Sequence, residues 1–386
     1  MRSEIKNNSL VIYLSGRIDS TNADSVEAEL NSVRANDPEP DLVLDVEELE
    51  YISSAGLRVI LRLRKSNPTL KVINASSDVY EIFDMTGFTE MIPIEKAYRK
   101  LSVEGCEVIG QGANGKVYRL DSDTIIKVYL NPDSLPDIHR ERELARRAFV
   151  LGIPTAIPYD VVKVGDGYGS VFELLNAKSF AKLIKAEPEN LDKYVEMYVD
   201  LMKKIHSTTV KEGDMPSMKE VAVKWANMAA TRLPEAEGEK LKKLVNDVPE
   251  DLHMMHGDYH VKNVMLQNGE TLLIDMDTLC HGNPVFDLAS MYNAYQGFAY
   301  LNHNATEEFL GLPYDICEKI YNKSLALYLG SDDPAVIENA NNKIQLLGLM
   351  RLFRRLINRH REDEPEFEAY RARILELLAK VDTLVL

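Results

Sequence analysis

Three polar residues between positions 256 and 279 constrain this chain more than any other feature. Asp258 and Asn263 lie five positions apart in HGDYHVKNVML, and Asp275 ends the apolar run of LLIDMDTL. A carboxylate and an amide at this spacing, followed by a carboxylate at the end of a strand, are typical of sites that orient a hydroxyl and hold Mg²⁺ during phosphoryl transfer. The pattern predicts a catalytic role for Asp258 and a metal-binding role for Asn263 and Asp275.

A glycine-rich segment, VIGQGANGKVYRLDSDTIIKVYL, precedes these residues in the chain. It has glycines in G-x-G-x-x-G register at Gly110, Gly112 and Gly115. A dinucleotide-binding loop would have to continue into a helix, whereas residues 116–120 and 124–129 are β-like and flank a turn. The segment is therefore predicted to be a β-hairpin whose glycines let backbone N–H groups approach the phosphates of ATP.

One charged residue interrupts the second apolar strand of this hairpin. Lys127 lies in TIIKVY, where a lysine that contacts the α- and β-phosphates is favoured over an exposed strand lysine. A partner is expected in the helix-patterned stretch 138–151, which contains Glu141 and Glu143. Only one of the two can face the strand. Glu141 is favoured because it shares a helical face with apolar residues, and Glu143 is the alternative.

The composition limits the classes of protein and partner. A chain of 386 residues with 45% apolar residues is long enough for two or three globular domains. Its net charge of −16 opposes binding to nucleic acid and to anionic membranes. The three cysteines are widely spaced, and no apolar run is long enough for a signal peptide or a membrane span. These features predict a cytoplasmic protein without a disulfide framework or zinc site.

The first hundred residues alternate between strand-like and helix-like stretches. Apolar runs of strand length and helical patterns alternate at 9–14, 21–33, 41–46, 54–65, 70–73 and 79–85. This order predicts a small α/β layer with a domain boundary near residue 100. Ser53 or Ser54 is the expected N-cap of the helix at 54–65, because a hydroxyl there satisfies free backbone N–H groups.

Three segments of this N-terminal part resemble a known family. LSGRIDSTNA (14–23), DLVLDVEELEYISSAGLRVIL (41–61) and YEIFDMTGF (80–88) occur in the order found in the STAS domain of bacterial anti-sigma-factor antagonists. The resemblance implies a protein partner and, by position in S-S-A-G, a phosphorylated serine at Ser54. The family usually has Asp before that serine, and this chain has Ser53. Helix capping without phosphorylation is therefore the alternative.

The rest of the chain resembles the aminoglycoside phosphotransferase and choline kinase superfamily. H-G-D-Y-H-x-x-N in place of H-R-D, and I-D-M-D in place of D-F-G, are its motifs, and the likeness extends from Val103 to Ile357. The resemblance implies a bilobal, protein-kinase-like fold with a large helical C-lobe. It also implies that Asp287 braces the catalytic loop and that Glu173 and Leu175 offer backbone groups to adenine in the hinge between the lobes.

Together these features predict a STAS-like α/β domain at 1–100 and an α+β phosphotransferase domain at 103–386. The N-lobe is expected at about 103–175 and the C-lobe at about 176–386. The predicted activity is ATP- and Mg²⁺-dependent transfer of the γ-phosphoryl group to a hydroxyl of a small molecule. A protein serine kinase in a STAS partner-switching pathway and a non-catalytic nucleotide sensor are the alternatives, and the intact polar motif counts against the sensor.

Some residues near these motifs have no assigned role. His256 and His260 are interpreted as loop-packing residues hydrogen-bonded to backbone. Asp277 is either a further metal ligand or an exposed charge. Trp225 could line a substrate pocket, although an aromatic residue at helical spacing is more often core. The stretch 349–363 is typical of an amphipathic C-lobe helix, with binding to a membrane surface as the alternative.

Overall fold

The chain divides into two compact units. The structure is a computed structural model that describes residues 1–6, 8–37, 41–112, 115–132 and 134–386. The first unit comprises residues 1–102 and 162–165, and the second comprises residues 103–161 and 166–386. Each unit has its own cluster of buried apolar side chains. No helix within the described ranges is long and apolar enough to cross a membrane.

The first unit is an α/β layer around a mixed sheet, as predicted. Its strands are β1 (Ser3–Lys6), β2 (Ser9–Ile18), β3 (Asp41–Ile52), β4 (Lys71–Ala75), β5 (Ile94–Lys96) and the short β6 (Arg99–Lys100). Its helices are α1 (Ala23–Asn36), α2 (Ser54–Ser66), α3 (Ser77–Met85) and α4 (Phe88–Met91). The sheet order is β1-β2-β3-β4-β5, with β1 antiparallel to β2 and the other neighbours parallel. Alternating apolar residues of the central strands are buried against the helices, for example Ile12 and Leu44.

Strands β2 and β3 are longer than the apolar runs that predicted them. β2 continues through Gly16, which has a φ of +69°, to Ile18, and its pairing with β3 shifts register on both sides of Ser15. Such a bulge lets the polar stretch SGRI stay within the ladder. The exposed Ser15 and Arg17 and the small Gly16 interrupt the apolar run of β2, so the sequence pattern ended too early.

Helix α2 begins with a side-chain cap on Ser53. The Ser53 Oγ accepts hydrogen bonds from the backbone N–H groups of Ala55 at 3.2 Å and Gly56 at 3.5 Å. Ser54 is the first helical residue and is exposed, and its hydroxyl makes no hydrogen bond to the residues that the structure describes. Of the two serines expected as caps, Ser53 takes this role, and the Ser54 hydroxyl faces solvent.

The N-lobe of the second unit is an antiparallel sheet with one long helix. Its strands are β7 (Val108–Gln111), β8 (Gly115–Arg119), β9 (Thr124–Tyr129), β10 (Pro158–Val164), whose residues 162–164 are assigned to the first unit, and β11 (Gly167–Glu173). Its helix is α5 (Leu135–Val150). The order β11-β9-β8-β7 confirms the predicted hairpin after the first glycines. A Cβ on Gly115 would lie 2.4 Å from the Val128 carbonyl oxygen, so this position requires glycine. Residues 113 and 114 of the glycine motif lie outside the described residues.

The C-lobe is mainly helical. Its helices are α6 (Phe180–Ala186), α7 (Leu191–His206), α8 (Met218–Ala230), α9 (Glu235–Asn246), α10 (Val285–Tyr292), α11 (Asn304–Leu310), α12 (Tyr314–Leu329), α13 (Pro334–Asn358) and α14 (Pro365–Lys380). Its short strands are β12 (Lys178–Ser179), β13 (Met254–Met255), β14 (Val264–Gln267), β15 (Glu270–Leu273) and β16 (Cys280–His281). The stretch at 349–363 was predicted to be an amphipathic helix facing solvent. In the structure it includes the end of α13, where Leu349, Leu352, Phe353 and Leu356 are buried in the C-lobe core.

We expect Gly56→Ala to destabilise the first unit by about 1–3 kcal/mol, because overpacking forces neighbouring atoms apart. A Cβ on Gly56 would lie 2.7 Å from Ile52 Cγ1 and 2.8 Å from Ile18 Cγ2. Arg58→Ala, on an exposed position of the same helix, is the matched control. Urea unfolding followed by far-UV circular dichroism measures the loss, while fluorescence of Trp225, the single tryptophan, follows the second unit separately. An unchanged circular dichroism transition in Gly56→Ala would show that the helix can shift away from β2 and β3.

Candidate active site

The loop between β13 and β14 carries the two residues of the D-x-x-x-x-N motif. The Asn263 side-chain amide donates a hydrogen bond to the Asp258 carbonyl at 3.1 Å, which closes the loop on itself. The Ile274 N–H donates to the Asn263 carbonyl at 2.9 Å, so Asp275 follows directly beside Asn263. His256 Nε2 donates to the Ile274 carbonyl at 3.1 Å. These bonds bring the three polar residues predicted from sequence to one end of β14 and β15.

The buried carboxylate of Asp287 holds the start of this loop. It accepts hydrogen bonds from the backbone N–H groups of His256 at 2.9 Å and Gly257 at 2.7 Å. His206 Nε2 lies 3.0 Å from the same carboxylate, and His206 Nδ1 lies 2.8 Å from the Tyr328 hydroxyl. Burial alone would raise the pKa of Asp287, but the hydrogen bond from His206 and the other donors outweigh it and lower this pKa. Asp287 is therefore ionised and fully hydrogen-bonded.

Two backbone conformations at the site are unusual. Gly257 has a φ of +79°, and a Cβ there would lie 2.6 Å from the Thr278 carbonyl oxygen, so the position before Asp258 admits only glycine. Asp275 has a φ of +64° and a ψ of 69°, in the left-handed region that costs a non-glycine residue energy. This conformation ends the run from β15 and turns the Asp275 side chain toward Lys127, which lies in the N-lobe.

Lys127 joins the two lobes through charge pairs. Its Nζ lies 2.8 Å from Glu141 Oε1 on α5 and 3.0 Å from Asp275 Oδ1 in the C-lobe. Burial opposes the lysine charge, but the charges of Asp275 and Glu141 outweigh this effect, so the pKa of Lys127 lies above its ordinary value. The Tyr129 hydroxyl donates to Glu141 Oε2 at 2.5 Å. Of the two glutamates considered, Glu141 is thus the partner of Lys127.

The alternative glutamate has other partners. Glu143 pairs with Arg146 at 3.2 Å and with Arg147 at 2.9 Å along the helix surface. These arginines lower the pKa of Glu143, with the hydrogen bond from Arg146 as the largest favourable cause. Pairs of this kind on an exposed helix face stabilise little. Glu143 therefore lies outside the site.

Asp258 is ionised although it is partly buried. Burial raises its pKa, but the hydrogen bond and charge of His260, together with the charges of Arg351 and His256, lower the pKa to about 2. His260 Nε2 lies 3.5 Å from Asp258 Oδ2, and the side chain of Asp258 is 41% exposed. His256 fits its interpretation as a packing residue bonded to backbone, whereas His260 contacts the carboxylate itself. One edge of Asp258 is therefore accessible for an acceptor.

The oxygen atoms near Asp275 suit a magnesium ion that also binds phosphate. The Asn263 amide nitrogen is used in the loop, and its Oδ1 makes no hydrogen bond to any described residue. Within the described ranges, no group of three or more His, Cys, Asp and Glu residues has the arrangement of a metal site. Mg²⁺ commonly takes one or two protein oxygens and completes its six ligands with nucleotide phosphates and water. Asn263 and Asp275 can supply these one or two protein oxygens.

Asp277 does not fit one of its two interpretations, that of an exposed charge, and its interpretation as a further metal ligand stays a prediction. It is half-buried and not simply an exposed charge. Burial and the neighbouring Asp275 raise its pKa to about 6. Two neighbouring carboxyl groups, one of them with a raised pKa, form an acidic edge of the site that a divalent cation would suit.

The hinge residues have different backbone environments. The Glu173 N–H donates to the Ile157 carbonyl at 3.0 Å, so it is already used within the N-lobe. The Leu175 N–H and carbonyl make no hydrogen bond to the part of the chain that the structure describes. Of the two hinge residues named from the resemblance, Leu175 thus has a free N–H, and the Glu173 N–H is not available to adenine.

The glycines of the hairpin also differ from one another. The Gly112 N–H donates to the Gly115 carbonyl at 2.9 Å, which closes the turn. A Cβ on Gly110 would meet Val117 at an ordinary 3.6 Å, and one on Gly112 would meet nothing within 4 Å. Only Gly115 of the three is therefore required by the fold itself. Gly112 has open space beside it within the described residues, whereas Gly110 has ordinary van der Waals contact with Val117.

Four residues of the site had no predicted role. They are Tyr129, His206, His260 and Arg351. Tyr129 follows Lys127 by two positions in the same strand and hence lies on the same face, a signal that the alternation of the strand contains. The other three reach the site from distant positions or through loop geometry, and no local pattern indicates them.

The fold and the site together define a kinase-like phosphotransferase with an N-terminal α/β domain. Residues 105–311 match the model of the phosphotransferase enzyme family known as APH, which is more than half of the chain. The chain belongs to this family. Residues 1–101 match the model of the STAS domain. Both resemblances noted in the sequence are thereby confirmed.

Similar proteins are known for each part. Over 89 residues the chain is 38% identical to BtrV of Bordetella bronchiseptica, which is named as an anti-sigma factor antagonist, covering 22% of this chain and 76% of that protein. A thermostable mutant of aminoglycoside phosphotransferase APH(4)-Ia matches at 12% identity with a TM-score of 0.48, covering 72% of this chain and 97% of that one. A choline/ethanolamine kinase family protein from Mesorhizobium loti matches at 15% identity and a TM-score of 0.44, covering 72% and 88%.

We expect Asp287→Asn to destabilise the second unit by about 3 kcal/mol at pH 7, because an amide cannot accept from all three donors around it. The folded-state pKa of Asp287 is lowered. Its stabilising effect is therefore complete above about pH 4, the unfolded value, and decreases as the pH falls through the folded value. Urea unfolding followed by Trp225 fluorescence at several pH values measures this loss of stability. Asp332→Asn, at an exposed position, is the control. Equal midpoints for both variants at pH 7 would contradict this role of Asp287.

Proposed function

We propose that this protein transfers the γ-phosphoryl group of ATP to a hydroxyl of a small molecule in a Mg²⁺-dependent reaction. The observation that carries the proposal is the position of Lys127, whose Nζ is 2.8 Å from Glu141 and 3.0 Å from Asp275. A cation held between the lobes next to a metal-binding carboxylate is the arrangement that nucleotide phosphates require. We take residues 1–100 as the STAS domain and 103–386 as the phosphotransferase domain.

In this proposal Lys127 binds the α- and β-phosphates. Its two carboxylate partners keep it charged and fix its direction, and Tyr129 holds Glu141 in place. Gly110, Gly112 and Gly115 let the hairpin backbone approach the phosphates. The free N–H of Leu175 binds the adenine edge. Binding of the nucleotide thus uses the N-lobe, and the chemistry uses the C-lobe loop.

Asp258 is the group that acts on the acceptor. A new bond forms between the acceptor oxygen and the γ-phosphorus, the bond from that phosphorus to the β–γ bridging oxygen breaks, and ADP leaves with the electron pair. The hydroxyl proton passes to Asp258. With a pKa of about 2, this carboxylate is a weak base. It therefore orients the hydroxyl and receives the proton late, which suits the loose transition state of phosphoryl transfer.

Magnesium is assigned to the two oxygen-bearing residues beside this carboxylate. Asn263 Oδ1 and the Asp275 carboxylate would hold the ion, which neutralises charge on the phosphates when it is bound. The amide of Asn263 is oriented by its bond to the Asp258 carbonyl. Metal position and acceptor position are thus set by one short loop.

We expect Asp258→Asn to reduce phosphoryl transfer by at least about 100-fold and to leave ATP binding within about twofold, since the carboxylate acts on the acceptor. Transfer from labelled ATP to aminoglycosides, choline, sugars and hydroxy acids, and to the protein itself, measures activity. Calorimetry with ATP and Mg²⁺ measures binding. Asp332→Asn is the control. Full turnover in Asp258→Asn would exclude this site, and label on the protein alone would favour the protein-kinase alternative.

For the STAS domain we propose that Ser54 is a phosphorylation site which controls binding of a protein partner. Ser54 is exposed at the first turn of α2, and Ser53 already supplies the cap. A phosphate at this position would be stabilised by the N-terminal end of the helix and would add about two negative charges. The surface offered to a partner would change more than the fold.

We expect Ser54→Asp to change partner binding more than intrinsic ATP turnover, because the charge lies on the surface of the STAS domain. Ser25→Asp, at an exposed position in the first turn of α1, is the control for a charge added near a helix N-terminus. Pull-downs and steady-state turnover for wild type, Ser54→Ala, Ser54→Asp and Ser25→Asp give the comparison. The same set of bound proteins for all four would show that Ser54 has no role in partner choice.

A further inference from the structure

Three arginines on one turn of α13 form a cluster beside the catalytic loop, which we call the arginine cluster. They are Arg351, Arg354 and Arg355. None of the three has a carboxylate within 4.0 Å among the described residues. This is unusual in a chain of net charge −16, whose nearby Arg361, Arg371 and Arg373 each pair with a glutamate. The cluster therefore has positive charge without a close ion-pair partner among the described residues.

Arg351 connects the cluster to Asp258. Its NH1 donates to the Gly257 carbonyl at 3.0 Å and to the Ser290 hydroxyl at 3.1 Å. Gly257 immediately precedes Asp258, and the charge of Arg351 contributes to the lowered pKa of that carboxylate. The cluster thus begins at the carbonyl of the residue that precedes Asp258.

Aromatic rings hold the guanidinium groups in place. Arg351 Cζ lies 5.3 Å and Arg354 Cζ 4.8 Å from the centre of the Trp225 ring, and Arg355 Cζ lies 5.8 Å from that of Phe298. The ring faces fix the arginines without neutralising them. Burial and the neighbouring arginines lower the pKa of Arg354, and its Nε is buried without an acceptor. Bringing arginines together costs electrostatic free energy, and here a buried donor also lacks an acceptor. This combination is typical of a site that binds an anion.

We propose that the acceptor is an anionic hydroxyl compound, whose carboxylate or phosphate binds the arginine cluster while its hydroxyl reaches Asp258. The proposal rests on the phosphotransferase function above and names its substrate class. Guanidinium groups bind both anions through paired N–H donors, so the two anions share one recognition chemistry. Binding of the anion at the cluster would place the hydroxyl of a short molecule at the neighbouring carboxylate.

Trp225 gives a direct measurement because it is the only tryptophan and contacts two of the arginines. The full chain is titrated with inorganic phosphate and with glycerate at constant ionic strength, with glycerol and choline as neutral and cationic comparisons. We expect saturable fluorescence changes whose dissociation constants for the anions are at least about tenfold below those for glycerol and choline. A response to phosphate alone or to glycerate alone identifies which anionic group the site takes. A wild-type protein that responds to neither anion overturns the proposal.

Substitutions distinguish a site from a general charge effect. Arg354→Gln is expected to raise the dissociation constant for the anion about tenfold and Arg354→Lys by less, because lysine keeps the charge but not the paired donors. Arg361→Gln removes one arginine that is already paired with Glu364, and it should change the dissociation constant for the anion less than twofold. Anion binding by Arg354→Gln as tight as by wild type would overturn the assignment.

The same titration separates this inference from the proposed function. Asp258→Asn should abolish transfer but bind phosphate or glycerate at least as tightly as wild type, since it removes a nearby negative charge. If the wild-type protein binds the anion but does not transfer phosphoryl groups, the anion site is supported and the kinase function is excluded. If kcat/KM for choline or aminoglycosides is higher than for glycerate, an anionic acceptor is excluded and the kinase function is supported.

Discussion

The Asp287 carboxylate is the interaction on which the active site depends. It sits in a fully buried position and accepts from His206 and from two consecutive backbone N–H groups, those of His256 and Gly257. An ionised carboxylate in such a place is costly unless its donors are complete. Removal of any of these donors would leave the Asp287 carboxylate incompletely paired. Asp287 on α10 therefore holds both His206 on α7 and the start of the loop in place. The position of Asp258, one residue later, follows from this requirement.

Charge is distributed unevenly around that loop. On the side of β15, Lys127 pairs with Glu141 and Asp275. Burial, together with the charge of the neighbouring Asp275, raises the pKa of Asp277 there. On the side of α13, the arginine cluster has no carboxylate partner in the described ranges. The first side suits a metal ion with a nucleotide, and the second suits an anion. Opposite local charges on the two sides of Asp258 would keep the nucleotide, as phosphoryl donor, and the acceptor molecule in separate places.

The sequence predicted those parts of the molecule that depend on local pattern. The α/β layer, the hairpin at the glycines and both families are confirmed. Glu141 could be favoured over Glu143 because the apolar face of a helix determines which residue turns inward. The predicted β2 ended too early because Ser15, Gly16 and Arg17 interrupt its apolar run. The roles assigned to Asp258, Asn263 and Asp275 stay predictions.

Contacts between distant segments were beyond the sequence pattern. Arg351 lies 94 positions from Gly257 and 61 from Ser290, and it appeared in the sequence only as one arginine of an amphipathic stretch. The overall charge of −16 points toward a cationic substrate, yet charges separated by more than about 8 Å are largely screened at physiological salt. The charges that meet a substrate are those within that distance of Asp258. Arg351, which donates to the carbonyl of the neighbouring Gly257, is one of these charges, so the acceptor class that we propose is based on the local cluster rather than on the net charge.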